Sequence, residues 1–179
     1  MLNTEDAILV MVDFQARLAG IVDRKELVLP NALKLVKACQ ALEVPILSTL
    51  QVPEKLGPMP PELEGALGDM APIPKVVFSA LREPAFLLAV RQTGRSQVIL
   101  TGIEAHVCVM QTGLDLLDAG YSVHVLSDGI FSRTAENQKL ALTRLHDAGA
   151  TLSSVEMVLF EMIRTSAHNQ FRTISQLIK

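Results

Sequence analysis

A thiol and a carboxylate stand at matching places in this chain, each just beyond the end of a short apolar run. Asp13 directly follows Ala7–Val12, and Cys108 follows Gln97–Thr101 after a turn that begins with Gly102. The stretch from Val98 to Thr112 reads as a buried strand, a glycine-bearing turn, and a helix that starts at the cysteine. A thiol at a helix start meets unpaired amide N–H groups and partial positive charge, which favour its thiolate. The thiolate is the nucleophilic form, and backbone N–H groups in the same turn are suited to hold a developing oxyanion. A cysteine at a strand–helix junction also serves simply as a small apolar filler. A carboxylate at a strand end also serves simply to cap a turn. Lys75, between Ala71-Pro72-Ile73-Pro74 and Val76-Val77-Phe78, is the third candidate, with a solvated lysine as its ordinary reading.

These residues need elements to position them, and the hydrophobic pattern supplies those elements. Ala7–Val12, Pro45–Leu50, Gln97–Thr101 and Ser122–Ser127 are continuous apolar runs, the pattern of strands buried on both faces. Val76–Phe78 and Thr151–Ser154 are weaker strand candidates. Helical periodicity falls between them, at Val28–Leu42, Glu83–Thr93, Val109–Ala119, Ala135–Ala148, Val155–Met162 and His168–Ile178. Pro84 stands where a helix start accepts proline, and Gly120 and Gly149 where helices end. Cys39 lies on the apolar stripe of the first helix and reads as core. Strands alternating with helices require right-handed crossovers and a parallel sheet covered on both faces. The fold class is therefore α/β: a single three-layer α/β/α domain over residues 1–179, with a mainly parallel, Rossmann-like sheet. In such a sheet ligands bind beyond the carboxyl ends of the strands. Asp13 and Cys108 share one crevice if the first and fourth strands are neighbours. The Pro- and Gly-rich segment 53–61 interrupts the rhythm and reads as a long irregular connection, of the kind that forms lids or site walls.

Composition narrows the function further. The formal charge is −3, with one Tyr, no Trp and six Phe. There is no basic footprint or aromatic platform for nucleic acid. No apolar segment is long enough to span a membrane, and the N-terminus lacks the basic start of a signal peptide. Two cysteines do not make a stapled secreted scaffold, so a reduced, cytoplasmic setting is expected. The mean hydropathy of +0.33 is high for a chain with no membrane segment. The surplus apolar surface points to a homo-oligomer, a dimer or larger.

Taken together, Val10-Met11-Val12-Asp13-Phe14-Gln15, Lys75 with Phe78-Ser79-Ala80, and Gly102-Ile103-Glu104-Ala105-His106-Val107-Cys108-Val109 resemble the isochorismatase-like cysteine hydrolase superfamily. That superfamily includes nicotinamidases and related amidohydrolases. The likeness runs over nearly the whole chain. The Gln51–Pro58 loop and the Gly102–Cys108 block are most similar to the isochorismatase domain-containing protein 2 group. The resemblance implies a catalytic triad of Asp13, Lys75 and Cys108 and a non-proline cis peptide at Ile103–Glu104. It also implies an oxyanion hole built from the backbone N–H groups of Glu104 and Cys108. Phe14, Gln15, Gln51, Leu56, Ile103 and His106 would surround the substrate, the alternative for His106, as for Glu104, being a merely geometric turn residue.

Two departures shape the expected activity. Nicotinamidases carry an Asp-x-His…His metal site after the second strand. Here that region reads Leu47-Ser48-Thr49-Leu50-Gln51-Val52-Pro53, without histidine. His106, His124, His146 and His168 show no metal-ligand spacing, so no metal and no cofactor are expected. True isochorismatases lack the nucleophilic cysteine, which sets isochorismate-type vinyl-ether hydrolysis last among the readings. The leading expectation is a metal-independent cysteine hydrolase acting on a small amide or related C–N bond through a thioester. The alternative is a binding or oligomeric interaction module of the same fold.

Overall fold

The computed structural model describes residues 1–179. Six strands form one sheet: β1 (Ala7–Val12), β2 (Ile46–Gln51), β3 (Ile73–Lys75), β4 (Gln97–Ile103), β5 (Ser122–Phe131) and β6 (Thr151–Ser153). Their order is β3-β2-β1-β4-β5-β6, and every pairing is parallel. The chain starts in the middle and winds first to one side, then to the other. That reversal places the topological switch between β1 and β4, where such sheets open a crevice.

Nine α-helices flank the sheet: α1 (Ala16–Ala19), α2 (Lys25–Ala41), α3 (Pro53–Leu56), α4 (Pro61–Leu67), α5 (Pro84–Gln92), α6 (Met110–Asp118), α7 (Ala135–Asp147), α8 (Val155–Ile163) and α9 (Phe171–Leu177). Side chains alternate across a strand, and β1 divides its residues accordingly. Ala7, Leu9 and Met11 pack with the buried residues of α2, α4 and α8. Ile8, Val10 and Val12 pack with those of α5, α6 and α7. Both faces of β1 are apolar because both are covered.

Several boundaries differ from the sequence reading, each for a local reason. Helix α2 begins at Lys25 rather than Val28 and runs through Pro30, which sits inside the helix. The edge strand is Ile73–Lys75 rather than Val76–Phe78. Beyond Lys75 the main chain turns so that the carbonyls of Val77 and Phe78 accept from the Lys75 ammonium, which removes them from any ladder. Helix α9 starts at Phe171 rather than His168, since the His168 ring accepts the Gln170 N–H and holds a turn there. Segment 53–61 is less irregular than expected. It carries α3, and α4 starts at Pro61, anchored through buried Met59, Leu63 and Leu67.

Close approach of two strands at the switch point fixes one glycine. Gly102 has φ +144°, and a Cβ there would lie 2.3 Å from the Val12 carbonyl oxygen. Only glycine lets β4 pass so near the end of β1, one residue before Asp13.

Candidate active site

Asp13 directly follows β1 with φ 54°, a left-handed turn that Asp tolerates better than most residues. Its carboxylate is completely buried and has two distinct partners. Oδ2 meets the Lys75 Nζ at 2.7 Å, and Oδ1 accepts from the Thr49 hydroxyl at 2.8 Å. Lys75 closes β3, two strands from β1, and its long side chain reaches back under the strand ends. Besides Asp13, the ammonium meets the Gln51 side-chain oxygen and the carbonyls of Val77 (3.2 Å) and Phe78 (3.1 Å). Neither member of the ion pair is exposed to solvent. Burial without these acceptors would strongly disfavour both charges, so the cage of oxygens and the pair itself keep the ammonium in place.

Cys108 completes the group, but not at the first turn of α6. A π-helical turn, Ala105–Val109, precedes α6, and the thiol sits in it, 6% exposed, facing the Gln51 Oε1 at 3.9 Å. The thiol belongs electrostatically to Asp13 and Lys75. Burial, and after it the Asp13 charge, push Cys108 up to about 12, while Lys75 pulls in the opposite direction. This corrects the expectation of a thiolate favoured at rest: the turn places the thiol in the interior, and desolvation outweighs the cation. The balance of these influences favours the protonated thiol.

The turn before Cys108 has its own supports. The Ile103–Glu104 peptide is cis, and the Glu104 N–H has no hydrogen-bond acceptor in the protein. The Glu104 carboxylate pairs with Arg133 Nε at 2.7 Å, and His106 Nδ1 lies 2.9 Å from the Ser132 hydroxyl. Both side chains thereby tie the turn to the segment after β5.

The expected pocket residues divide. Gln51 is at the centre, between ammonium and thiol, with its amide nitrogen on the Val76 carbonyl at 2.9 Å. Leu56 ends α3, half-buried. Gln15 acts as a strut: its side chain accepts the Gln51 N–H and donates to the carbonyls of Gln51 and Gly57. Phe14 and Ile103 are buried in the core on the α2 side of the sheet, whereas Cys108 belongs to the opposite side. Phe14 lines an apolar cavity of about 280 Å³ with Val28, Leu29 and Leu63. Asp13, Lys75, Cys108 and Gln51 thus come together, while Phe14, Gln15 and Ile103 are buried within the fold. Thr49 escaped the sequence reading, and its only signal was that it is one of three polar residues, with Ser48 and Gln51, in a largely buried strand. The structure brings no three His, Cys, Asp or Glu side chains together in a way that could hold a metal.

The isochorismatase domain model matches residues 7–157. The chain belongs to the isochorismatase family. Isochorismatase domain-containing protein 2A of Mus musculus is 38% identical, with 98% of this chain and 84% of that protein aligned. The secreted isochorismatase effector Isc1 of Phytophthora sojae is 37% identical, over 97% of this chain and 84% of that protein. Among solved structures, the MAR1 ribonuclease of Caenorhabditis elegans superposes with a TM-score of 0.92 at 32% identity, covering 99% of this chain and 91% of that one. The YcaC gene product of Escherichia coli, described as an octameric hydrolase of unknown specificity, has a TM-score of 0.92 at 27% identity, covering 99% and 88%. The isochorismatase-like hydrolase fold expected from the sequence is the fold found. No helix is long and apolar enough to cross a membrane.

Proposed function

We propose that this isochorismatase-family chain acts as one domain, a metal-independent cysteine hydrolase of small amides, with Cys108 as nucleophile, Asp13 as base and Lys75 as the balancing cation. One observation carries the reading: a fully buried Asp13–Lys75 pair at 2.7 Å whose charges both act on a buried thiol. A structural ion pair has no need of a thiol beside it. In the reaction Asp13 takes the thiol proton as the sulfur attacks the amide carbon. The C=O π electrons move to oxygen, and the Glu104 and Cys108 N–H groups receive that oxyanion. Collapse breaks the C–N bond, the amine leaves with the proton from Asp13, and an acyl thioester stays on Cys108. Water then attacks the thioester, giving its proton to Asp13, and the carboxylic acid and thiol are released. Lys75 balances the carboxylate's charge between steps. Gln51 and Leu56 face the substrate. No cofactor enters the cycle.

The working unit in this reading is a homo-oligomer in a cytoplasmic setting, acting on a small molecule and not on nucleic acid or membrane. The octameric relative supports assembly, as do Val76 and Phe78, 72% and 52% exposed beside the catalytic lysine. A relative named as a ribonuclease makes RNA the proper control.

Intact-protein mass spectrometry during turnover of a panel of small amides tests the proposal, with a short RNA oligonucleotide alongside. A transient acyl mass on Cys108, absent from Cys108→Ala, is the expected result. Amide hydrolysis undiminished in Cys108→Ala, or cleavage of RNA alone, would overturn it.

A further inference from the structure

The two polar residues at the end of β2, Thr49 and Gln51, are two apart and so project to the same face of the sheet. Each holds one member of the ion pair: Gln51 accepts from the Lys75 ammonium, and Thr49 donates to Asp13. Gln51 also faces the thiol. Thr49 does not; it is fully buried and its hydroxyl has a single partner, Asp13 Oδ1 at 2.8 Å. Its main chain takes part as well, because the Asp13 N–H donates to the Thr49 carbonyl at 3.1 Å.

We propose that Thr49 is a positioning residue for the reaction, its hydroxyl locking the plane of the Asp13 carboxylate so that the base faces Cys108. The argument rests on the preceding assignment of Asp13 as the base. A carboxylate held at Oδ2 alone is free to turn about that contact. A second, different donor on Oδ1 removes that freedom. The chemistry also requires that the second donor be neutral. A further cation on Oδ1 would hold Asp13 ionised and oppose the proton transfer it must perform. A hydroxyl donates to the carboxylate and can rotate to accept once the acid form exists. Asp13 has a left-handed backbone and follows the last residue of β1, so β2 is what steadies it.

Acrylamide provides a test that does not depend on knowing the substrate. It is a small amide whose β-carbon adds to a thiolate, the thiol proton ending on the α-carbon, with nothing leaving. Inactivation kinetics, read as mass added at Cys108, separate binding (KI) from chemistry (kinact). Thr49→Val replaces the hydroxyl by a methyl of similar size. Its kinact is expected to fall on the order of tenfold to a hundredfold, with KI changed by less than about twofold. Thr49→Ser retains the oxygen and should stay within about threefold of the parent. Should Thr49→Val fail to fold, Thr49→Ser against Thr49→Ala, a pair differing by one oxygen, gives the same reading. Parental kinact in the variants lacking the oxygen overturns the proposal. So does an equal fall in Thr49→Ser, or a change confined to KI. If no amide is hydrolysed while kinact follows the oxygen at residue 49, the hydrolase reading fails and this inference stands. If the parent is not labelled at Cys108, the nucleophile assignment falls before Thr49 is reached.

Discussion

The Asp13 carboxylate and the Lys75 ammonium meet at 2.7 Å where neither side chain touches water. Such a pair contributes little net stability, because desolvation offsets the attraction, yet removing one partner strands the other. Lys75→Ala should therefore lower unfolding free energy by about 3–5 kcal/mol. Asp13→Asn combined with it should recover part of that loss, since no buried charge is left alone. Urea unfolding of the two singles and the double checks this. Additive losses would mean that the two side chains do not share one buried site.

The same carboxylate has opposite effects on the thiol and on turnover. Its charge raises Cys108, so Asp13→Asn should bring the pH midpoint of Cys108 alkylation down from the parent's. Asn also accepts the left-handed backbone at that position, which keeps the turn. The base is gone, however, and amide turnover should fall by a factor on the order of a hundred or more. A thiol that becomes easier to ionise while catalysis is lost would mark Asp13 as a proton acceptor rather than a source of field. Lys75→Ala should move the midpoint upward, because Lys75 lowers the thiol. Iodoacetamide alkylation profiles of the three proteins decide between these signs.

The parallel sheet was legible because β1, β2, β4 and β5 are buried on both faces, which leaves continuous apolar runs in the sequence. That Asp13, Lys75 and Cys108 come together was legible as well, from residue type at the ends of those runs and from the motif around each. The pocket wall was not. Phe14 and Gln15 follow Asp13 directly, but where their side chains go depends on α2 and on the α3 loop, which are remote in sequence. Residues 76–78 look like a strand in their own composition. What decides against it is a tertiary demand, the need of the Lys75 ammonium for two carbonyls. The resting state of Cys108 was missed for a similar reason. A helix start can be read locally, but burial of 94% of the thiol residue, the complement of its 6% exposure, cannot.

Gly102 should tolerate nothing larger than itself. An added Cβ would fall 2.3 Å from the Val12 carbonyl and 2.7 Å from the Val12 Cβ. Backbone and β-branched atoms cannot yield there, so Gly102→Ala should push the ends of β1 and β4 apart at a cost of about 2 kcal/mol or more. Because Val12 precedes Asp13, acrylamide labelling of Cys108 should slow by more than the loss of folded protein explains. Thermal unfolding and labelling rates on the folded fraction test the two effects separately. A variant with parental stability would show that the crossing has room the structure does not show.

Cys39 offers a test of the core through pH. It is fully buried on the inner face of α2, and burial alone pushes its thiol from 9.0 to about 12. A group whose folded pKa is raised binds its proton more tightly in the native state. Its contribution is therefore complete below pH 9 and is lost as pH rises from about 9 to about 12. Cys39→Ala should be less stable at pH 7, having lost the sulfur from a packed interior. It also lacks the titrating thiol, so its stability should decline less steeply above pH 9. The gap between parent and variant should then narrow by on the order of 1–3 kcal/mol between pH 8 and pH 11. Other groups that titrate in this range are common to both proteins and cancel in the difference. Urea unfolding at a series of pH values gives the gap directly. A gap that stays constant would mean that the Cys39 thiol ionises alike in the folded and unfolded chains.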